Sequence, residues 1–184
     1  MELAENQIDV LTLARYLEDS FGDLKGRYSR DHDFRFWLQK TLYYIQCYAL
    51  IKEGYPLFAE NIISFPKGPI IEGLHEKLKE TPPSNRIDCL PFLYVDIIAH
   101  VLRQYSGDHL STISHSSLPW NSVDNHSKIT IENIKENFGK CQFEREFLED
   151  VAKAVEEAKQ REQTMNERFE KMSFNPNNKV TVQY

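Results

Sequence analysis

The residues of this chain that could do chemistry are six histidines, three cysteines and a scatter of carboxylates and hydroxyls, and their spacing decides which chemistry is open. His32, His75, His100, His109, His115 and His126 form no His-Glu-x-x-His pair, and no Glu-x-x-His recurs on two segments. Without those spacings a helix cannot aim two ligands at one metal. Glu72, His75 and Glu76 are the one local constellation that a helical turn would bring together, and they read first as a solvated helix surface. Cys47, Cys89 and Cys141 are odd in number and contain no Cys-x-x-Cys, so they read as reduced thiols, with Cys47 in the core. There is no Gly-x-Ser-x-Gly elbow. Ser114, His115 and Ser116 are neighbours in sequence, which does not make a hydroxyl face an imidazole in space. No phosphate loop is present; Lys67-Gly68-Pro69 at a helix start would offer an anion only the generic attraction of a helix end. No catalytic residue, cofactor or metal is therefore expected. The enzyme alternative is a small metal-dependent hydrolase using Glu72/His75 or His115.

The elements that must position these groups are helical. Ile8, Leu11, Ala14, Leu17 and Phe21 recur at three- and four-residue steps, which predicts an amphipathic helix over 5–21 ended by Gly22. Residues 22–32 read as an exposed connection, with Asp33 free to cap the next helix. From Phe34 to Glu53 apolar residues fall on nearly every side, the mark of a central helix. Gly54 and Pro56 stop it, and 55–67 form an irregular or briefly extended passage anchored by Ile62, Ile63 and Phe65. Gly68-Pro69 is expected to open a short helix carrying Ile71, Leu74 and Leu78. The proline pair makes 80–87 a loop, and a largely buried helix follows over 88–105. Asp108 is expected to cap a short helix with Leu110 and Ile113, Pro119-Trp120 to mark a turn, and Thr130 to cap a helix closed by Gly139.

The chain has 184 residues, 22 Lys+Arg against 28 Asp+Glu and a net charge of −6. That length suits one ordinary domain, which buries roughly 70% of its unfolded surface without disulfides. The acidic balance and the lack of any Lys/Arg cluster lack the electrostatic footprint that nucleic acid requires. The apolar stretch 41–51 is too short for a membrane span. With Glu2, Glu5 and Asp9 in place of a secretory leader, the expected location is the cytoplasm, with no membrane partner.

After residue 140, Phe143, Phe147, Val151, Val155, Ala158, Met165, Phe169 and Met172 draw a thin apolar stripe on a charged segment. Such a helix either lies across the bundle or pairs with another chain, so Phe143, Phe147, Val151 and Val155 are candidates for self-association or for a partner helix. The residues 175–184 are expected to fray as a flexible tail, although 179–184 alternate and could add to a partner's sheet edge.

What physics alone does not explain is a run of motifs in order. Trp37-Leu38-Gln39-Lys40-Thr41-Leu42-Tyr43-Tyr44 is followed by Gly54-x-Pro56-Leu57-Phe58 and Gly68-Pro69-Ile70, then by Leu110-Ser111-x-Ile113-Ser114-His115-x-x-x-Pro119-Trp120. This order resembles the Panacea domain family of SocA-like antitoxins and proteolytic adaptors, often carried by phages and mobile elements, over roughly residues 8–139. Phe65-Pro66-Lys67 stands where the family usually has Trp and an aromatic before its Gly-Pro, and Thr41 where Leu is common. The expected architecture is all-α: a compact bundle of six or seven helices over 1–140, a long carboxy-terminal helix over 141–174 and the tail. The resemblance implies a non-enzymatic protein that binds a cognate toxin, by masking it or delivering it to a protease, with a protease or chaperone as a further partner. A phage protein directed at a host defence factor would share the same plan. The partner surface the motifs suggest comprises Lys40, Tyr43, Tyr44, Lys67, Gly68, Pro69, His115, Pro119 and Trp120. A homo-oligomer through the carboxy-terminal helix would be compatible.

Overall fold

A computed structural model describes residues 7–27, 31–81, 90 and 92–173. The loop at 82–87, Cys89, the start of the helix expected from 88 and the tail from 175 lie outside them. The elements run α1 (Val10–Ser20), α2 (Leu24–Arg27), α3 (Asp31–Tyr48) with a π-helical turn (Ala49–Glu53), β1 (Ile62–Ile63), β2 (Ile70–Ile71), α4 (Leu74–Glu80), α5 (Leu93–Leu102), α6 (Gly107–Ser114), α7 (Leu118–Asn121), β3 (Lys128–Ile129), α8 (Ile131–Asn137) and α9 (Gln142–Ser173). The architecture is all-α in substance, with a long carboxy-terminal helix and a small antiparallel sheet of order β2-β1-β3. Among the described residues no helix is long and apolar enough to cross a membrane.

The apolar segment expected to be central is central. In α3, Phe34, Trp37, Leu38, Leu42, Ile45 and Cys47 are all buried, and α1, α5 and α6 pack around it. The closest approach is between α3 and α6. A Cβ on Gly107 would stand 2.0 Å from the Asp33 carbonyl oxygen and 2.7 Å from the Trp37 amide nitrogen, so only glycine lets the two backbones meet. Asp33 caps across this contact: its Oδ1 accepts from the Asp108 amide at 2.9 Å, at the start of α6 rather than of its own helix. Ser106, not Asp108, is the N-cap of α6, accepting from the His109 amide. Thr130 caps α8 as its sequence position predicts, and Gly139 closes it with φ +91°.

Two further local expectations are corrected. The connection at 22–32 contains α2, whose Leu24 is fully buried. Gly68-Pro69 does not open a helix: Gly68 sits at φ +92°, outside helical geometry, and the chain continues into β2, with α4 starting only after Gly73. The reason is pairing, since Ile70 and Ile71 are opposite Ile63 and Ile62 in the sheet. The anion site that depended on a helix start at Lys67-Gly68-Pro69 loses its basis.

For the first half of α9, the alternative in which the helix lies across its own bundle is the one observed. Phe147, Leu148, Val151 and Val155 are buried, α9 packs along α5, and Tyr44 places its ring 5.7 Å from Phe143 and 5.2 Å from Phe147. The seam named for self-association is thus covered by this chain itself, because burying those rings within the bundle removes their apolar area from water without a second molecule.

Candidate functional site

A helix apolar on all sides should not tolerate polar groups unless each finds a partner. In α3 four of them do tethering work, while the buried Thr41 and Tyr44 hydroxyls have no partner among the described residues. Gln39 Oε1 accepts from the Ile71 amide at 2.7 Å. Lys40 Nζ donates to the Pro69 carbonyl at 2.8 Å. The Tyr43 hydroxyl pairs with Ser117 Oγ at 2.8 Å. Gln46 closes a loop by both ends, donating from Nε2 to the Phe58 carbonyl at 2.9 Å and accepting at Oε1 from the Leu57 and Phe58 amides. Steps of three and four along one helix therefore hold three loops: 57–58, 69–71 and the turn at 117.

Lys40 is fully buried, and burial pushes its amine down to about 7. Gly68 makes room for it, since a Cβ there would fall 2.2 Å from Ser114 Oγ and 3.0 Å from Lys40 Nζ. A second layer of hydroxyls completes the tie: Ser111 Oγ donates to the Lys67 carbonyl at 2.7 Å, and Ser114 Oγ to the Ser111 carbonyl at 2.8 Å.

These ties carry an outward face. Trp120 donates its indole N–H to the Phe65 carbonyl at 2.9 Å, and the exposed His115 ring stacks on the indole with centroids 4.6 Å apart and planes 14° apart. The exposed Lys67 holds Nζ 4.8 Å over the Phe36 ring. His126, also exposed and in the left-handed region at φ 65°, sets its ring edge against Phe65 at 4.4 Å. Its amide donates to the Ser64 carbonyl at 2.7 Å, which ties the 124–127 loop to the strand end. Beside Trp120 lies a shallow depression of about 250 Å³, lined by Ser64, Asn121, Val123 and Asn125.

The motif residues thus fall into two layers. Lys40, Tyr43, Gly68, Pro69 and Pro119 are buried and hold the face from beneath, whereas the buried Tyr44 packs on Phe138, Phe143 and Phe147. Lys67, His115 and the half-buried Trp120 are the members another molecule can touch. Phe65 and His126 join them, although the motif order points to neither as a partner-binding residue. A positive φ at a histidine carries no signal in sequence, whereas a glutamine inside an otherwise apolar helix does, and Gln46 is such a signal.

Glu144 belongs to the charged segment that follows residue 140, but it does not face solvent. It is fully buried; Oε2 accepts from the Gly139 amide at 2.9 Å, while Oε1 has no partner, as is also true of the Tyr44 hydroxyl. Burial pushes the Glu144 carboxyl up, against hydrogen bonds from Ser117 and Gly139, and pushes Tyr43, Tyr44 and Cys47 up as well. Glu72 lies outside a helical turn with His75; it precedes α4, and its Oε2 accepts from Asn61 Nδ2 at 2.7 Å. Among the described residues no three His, Cys, Asp or Glu side chains gather as a metal-binding set.

The stretch that supplies this framework is also the one that known proteins share. Residues 38–90 match the family model described as Antitoxin SocA-like, Panacea domain. That is the family whose motif order the sequence resembles, and the matched stretch contains Gln39, Lys40, Tyr43 and Gln46 together with the loops at 57–58 and 69–71 that they hold. No curated protein and no solved structure matches the chain. The Panacea-like segment is thus mostly the support of the outward face, and of the face itself it includes Phe65 and Lys67, while His115, at the C-cap of α6, and Trp120, in α7, lie downstream.

Proposed function

We propose that this chain is a non-enzymatic antitoxin that binds a cognate protein toxin through the face formed by Lys67, His115 and Trp120, with Phe65 and His126 at its margin. The observation that carries the reading is that the segment similar to SocA-like antitoxins supplies the buried polar side chains that hold this face in place. Tryptophan and other aromatic groups braced on a rigid support are favoured anchors of protein interfaces, because their area is buried with little loss of side-chain freedom. Lys40, Tyr43, Gly68, Pro69 and Pro119 contribute by positioning, and Tyr44 by seating the last helix on the body.

Neutralisation follows either by covering the toxin's working surface or by presenting it to a protease, and co-expression separates the two. The open reading frame adjacent to this chain's gene is expressed from an inducible promoter in a surrogate bacterium, with and without this chain. Growth arrest relieved only by co-expression, with a stable complex recovered, is the expected result for masking. Relief with disappearance of the neighbouring protein identifies delivery to a protease. A harmless neighbour that forms no complex overturns the antitoxin reading.

A further inference from the structure

The face of α9 that is seated on the body does not stop where the body stops. Val151 and Val155 are buried, Ala158 is half-buried, and every residue from 159 to 168 is exposed, with Met165 at 55%. At 1.5 Å per residue, the helix beyond Val155 runs on for about 27 Å. The residues in line with the covered face are 151, 155, 158, 162 and 165, a spacing that alternates four and three, and the sequence continues it with apolar residues at 169 and 172. That alternation is the seam of a coiled coil. Its flanks are basic: Lys159 follows the seam position at 158, Arg161 precedes that at 162, and Arg168 precedes that at 169. Glu156, Glu157 and Glu167 fall on the far side. An Arg161–Glu157 ion pair at 3.7 Å links flank and far side, but with Arg161 80% exposed it holds the guanidinium only weakly. Glu162 is the one charge on the seam itself.

We infer that the end of α9 from Lys159 onward is a docking arm for a helical segment of another protein, with acidic residues along its flanks and a basic residue opposite Glu162. The charge pattern disfavours the simpler occupant, a second copy of this chain. Parallel copies would set Glu162 against Glu162 within the seam, and antiparallel copies would bring Arg161 and Arg168 towards their equals. A heterologous helix with acidic flanks turns each of these repulsions into an attraction, and it continues the same apolar face onto which the body already seats itself. This arm is separate from the Lys67/His115/Trp120 face, so the two surfaces are testable one at a time.

The test uses the full chain and two synthetic peptides of about four heptads, each with leucine along the seam. One has Glu on both flanks and a single seam Lys; the other has Lys on both flanks and a single seam Glu. Fluorescence anisotropy is expected to show binding of the acid-flanked peptide, weakened by salt, and at least about tenfold weaker binding of the other. Glu162→Lys, or Arg161→Glu with Arg168→Glu, should weaken the acid-flanked peptide by about tenfold or more, and Met165→Asp should abolish its binding. All of these positions are exposed, so the variants should keep the wild-type melting curve. Equal binding of both peptides, or affinities unchanged in the variants, overturns the inference. So does sedimentation of the chain alone as a dimer that Met165→Asp dissociates, which would give the face to a second copy. Failure here leaves growth rescue through Lys67 and His115 intact, and failure of that rescue leaves peptide binding intact.

Discussion

Replacing Lys40 with methionine should remove a pH dependence of stability that the wild-type chain shows above neutrality. The amine is fully buried, donates to the Pro69 carbonyl and is pushed by burial from 10.5 to about 7. Its folded pKa is lowered, so between the two values the unfolded chain binds more protons than the folded one, and stability rises with pH. From pH 7 to pH 8.5 the linkage amounts to about 1.5 kcal/mol, roughly tenfold in the unfolding constant. The window ends there for a reason. The Cys47 thiol and the Tyr43 and Tyr44 hydroxyls are pushed up by burial, so ionisation of their unfolded forms at higher pH lowers stability and opposes the lysine. Urea unfolding followed by circular dichroism at pH 7.0, 7.5, 8.0 and 8.5 should show this rise in the wild type and none attributable to residue 40 in Lys40→Met. Methionine fills similar space but leaves the Pro69 carbonyl without its donor, a pH-independent cost of about 1–2 kcal/mol. The comparison therefore rests on slope and not on level. Equal slopes in the two proteins, or wild-type stability that falls over this range, would refute a desolvated amine at this site.

Gly107→Ala should cost about 2–3 kcal/mol in urea unfolding, because the new methyl group meets the Asp33 carbonyl and the Trp37 amide and α3 and α6 must separate. Glu144→Gln should raise Tm near pH 7.5 and have little effect near pH 4. The folded carboxyl is raised by burial, so its stabilising share is present below the unfolded pKa and lost as pH rises through the folded one, and an amide has nothing to lose. Lys67→Glu and His115→Ala, both at exposed positions, should leave Tm within about 1 °C of wild type while weakening toxin binding by about tenfold each, read by calorimetric titration. Trp120→Ala should weaken toxin binding further and lower Tm as well, since it also breaks the tie to Phe65.

The helical plan was legible because it rests on long periodic patterns and on caps with one reading. The all-apolar run at 34–53 became α3 with its π-helical turn, and Thr130 and Gly139 bound α8 as expected. The sheet was legible only as anchors, since a two-residue strand carries no period, and Ile62-Ile63 and Ile70-Ile71 become strands by finding one another across a loop. Gly68-Pro69 follows the local pattern of a helix start, but the cavity that Gly68 leaves for Lys40 and the pairing of the next two residues override it. Glu144 looked like its acidic neighbours because a helix of alternating charge does not announce which carboxylate turns inward. The outward face was half legible: the motifs located Lys67, His115 and Trp120, while the burial of Lys40 and Tyr43 beneath them, and of Tyr44 against the last helix, is a tertiary fact.

The central claim is that partner recognition lies on the face carried by the Panacea-like framework. Amide hydrogen exchange of the purified chain, alone and with the protein encoded beside it, tests this most directly. The account predicts slowed exchange on complex formation at 64–68 and 115–127, with the interior of α3 already protected in the free chain. A stable complex that leaves both segments unchanged and protects a different surface would contradict it.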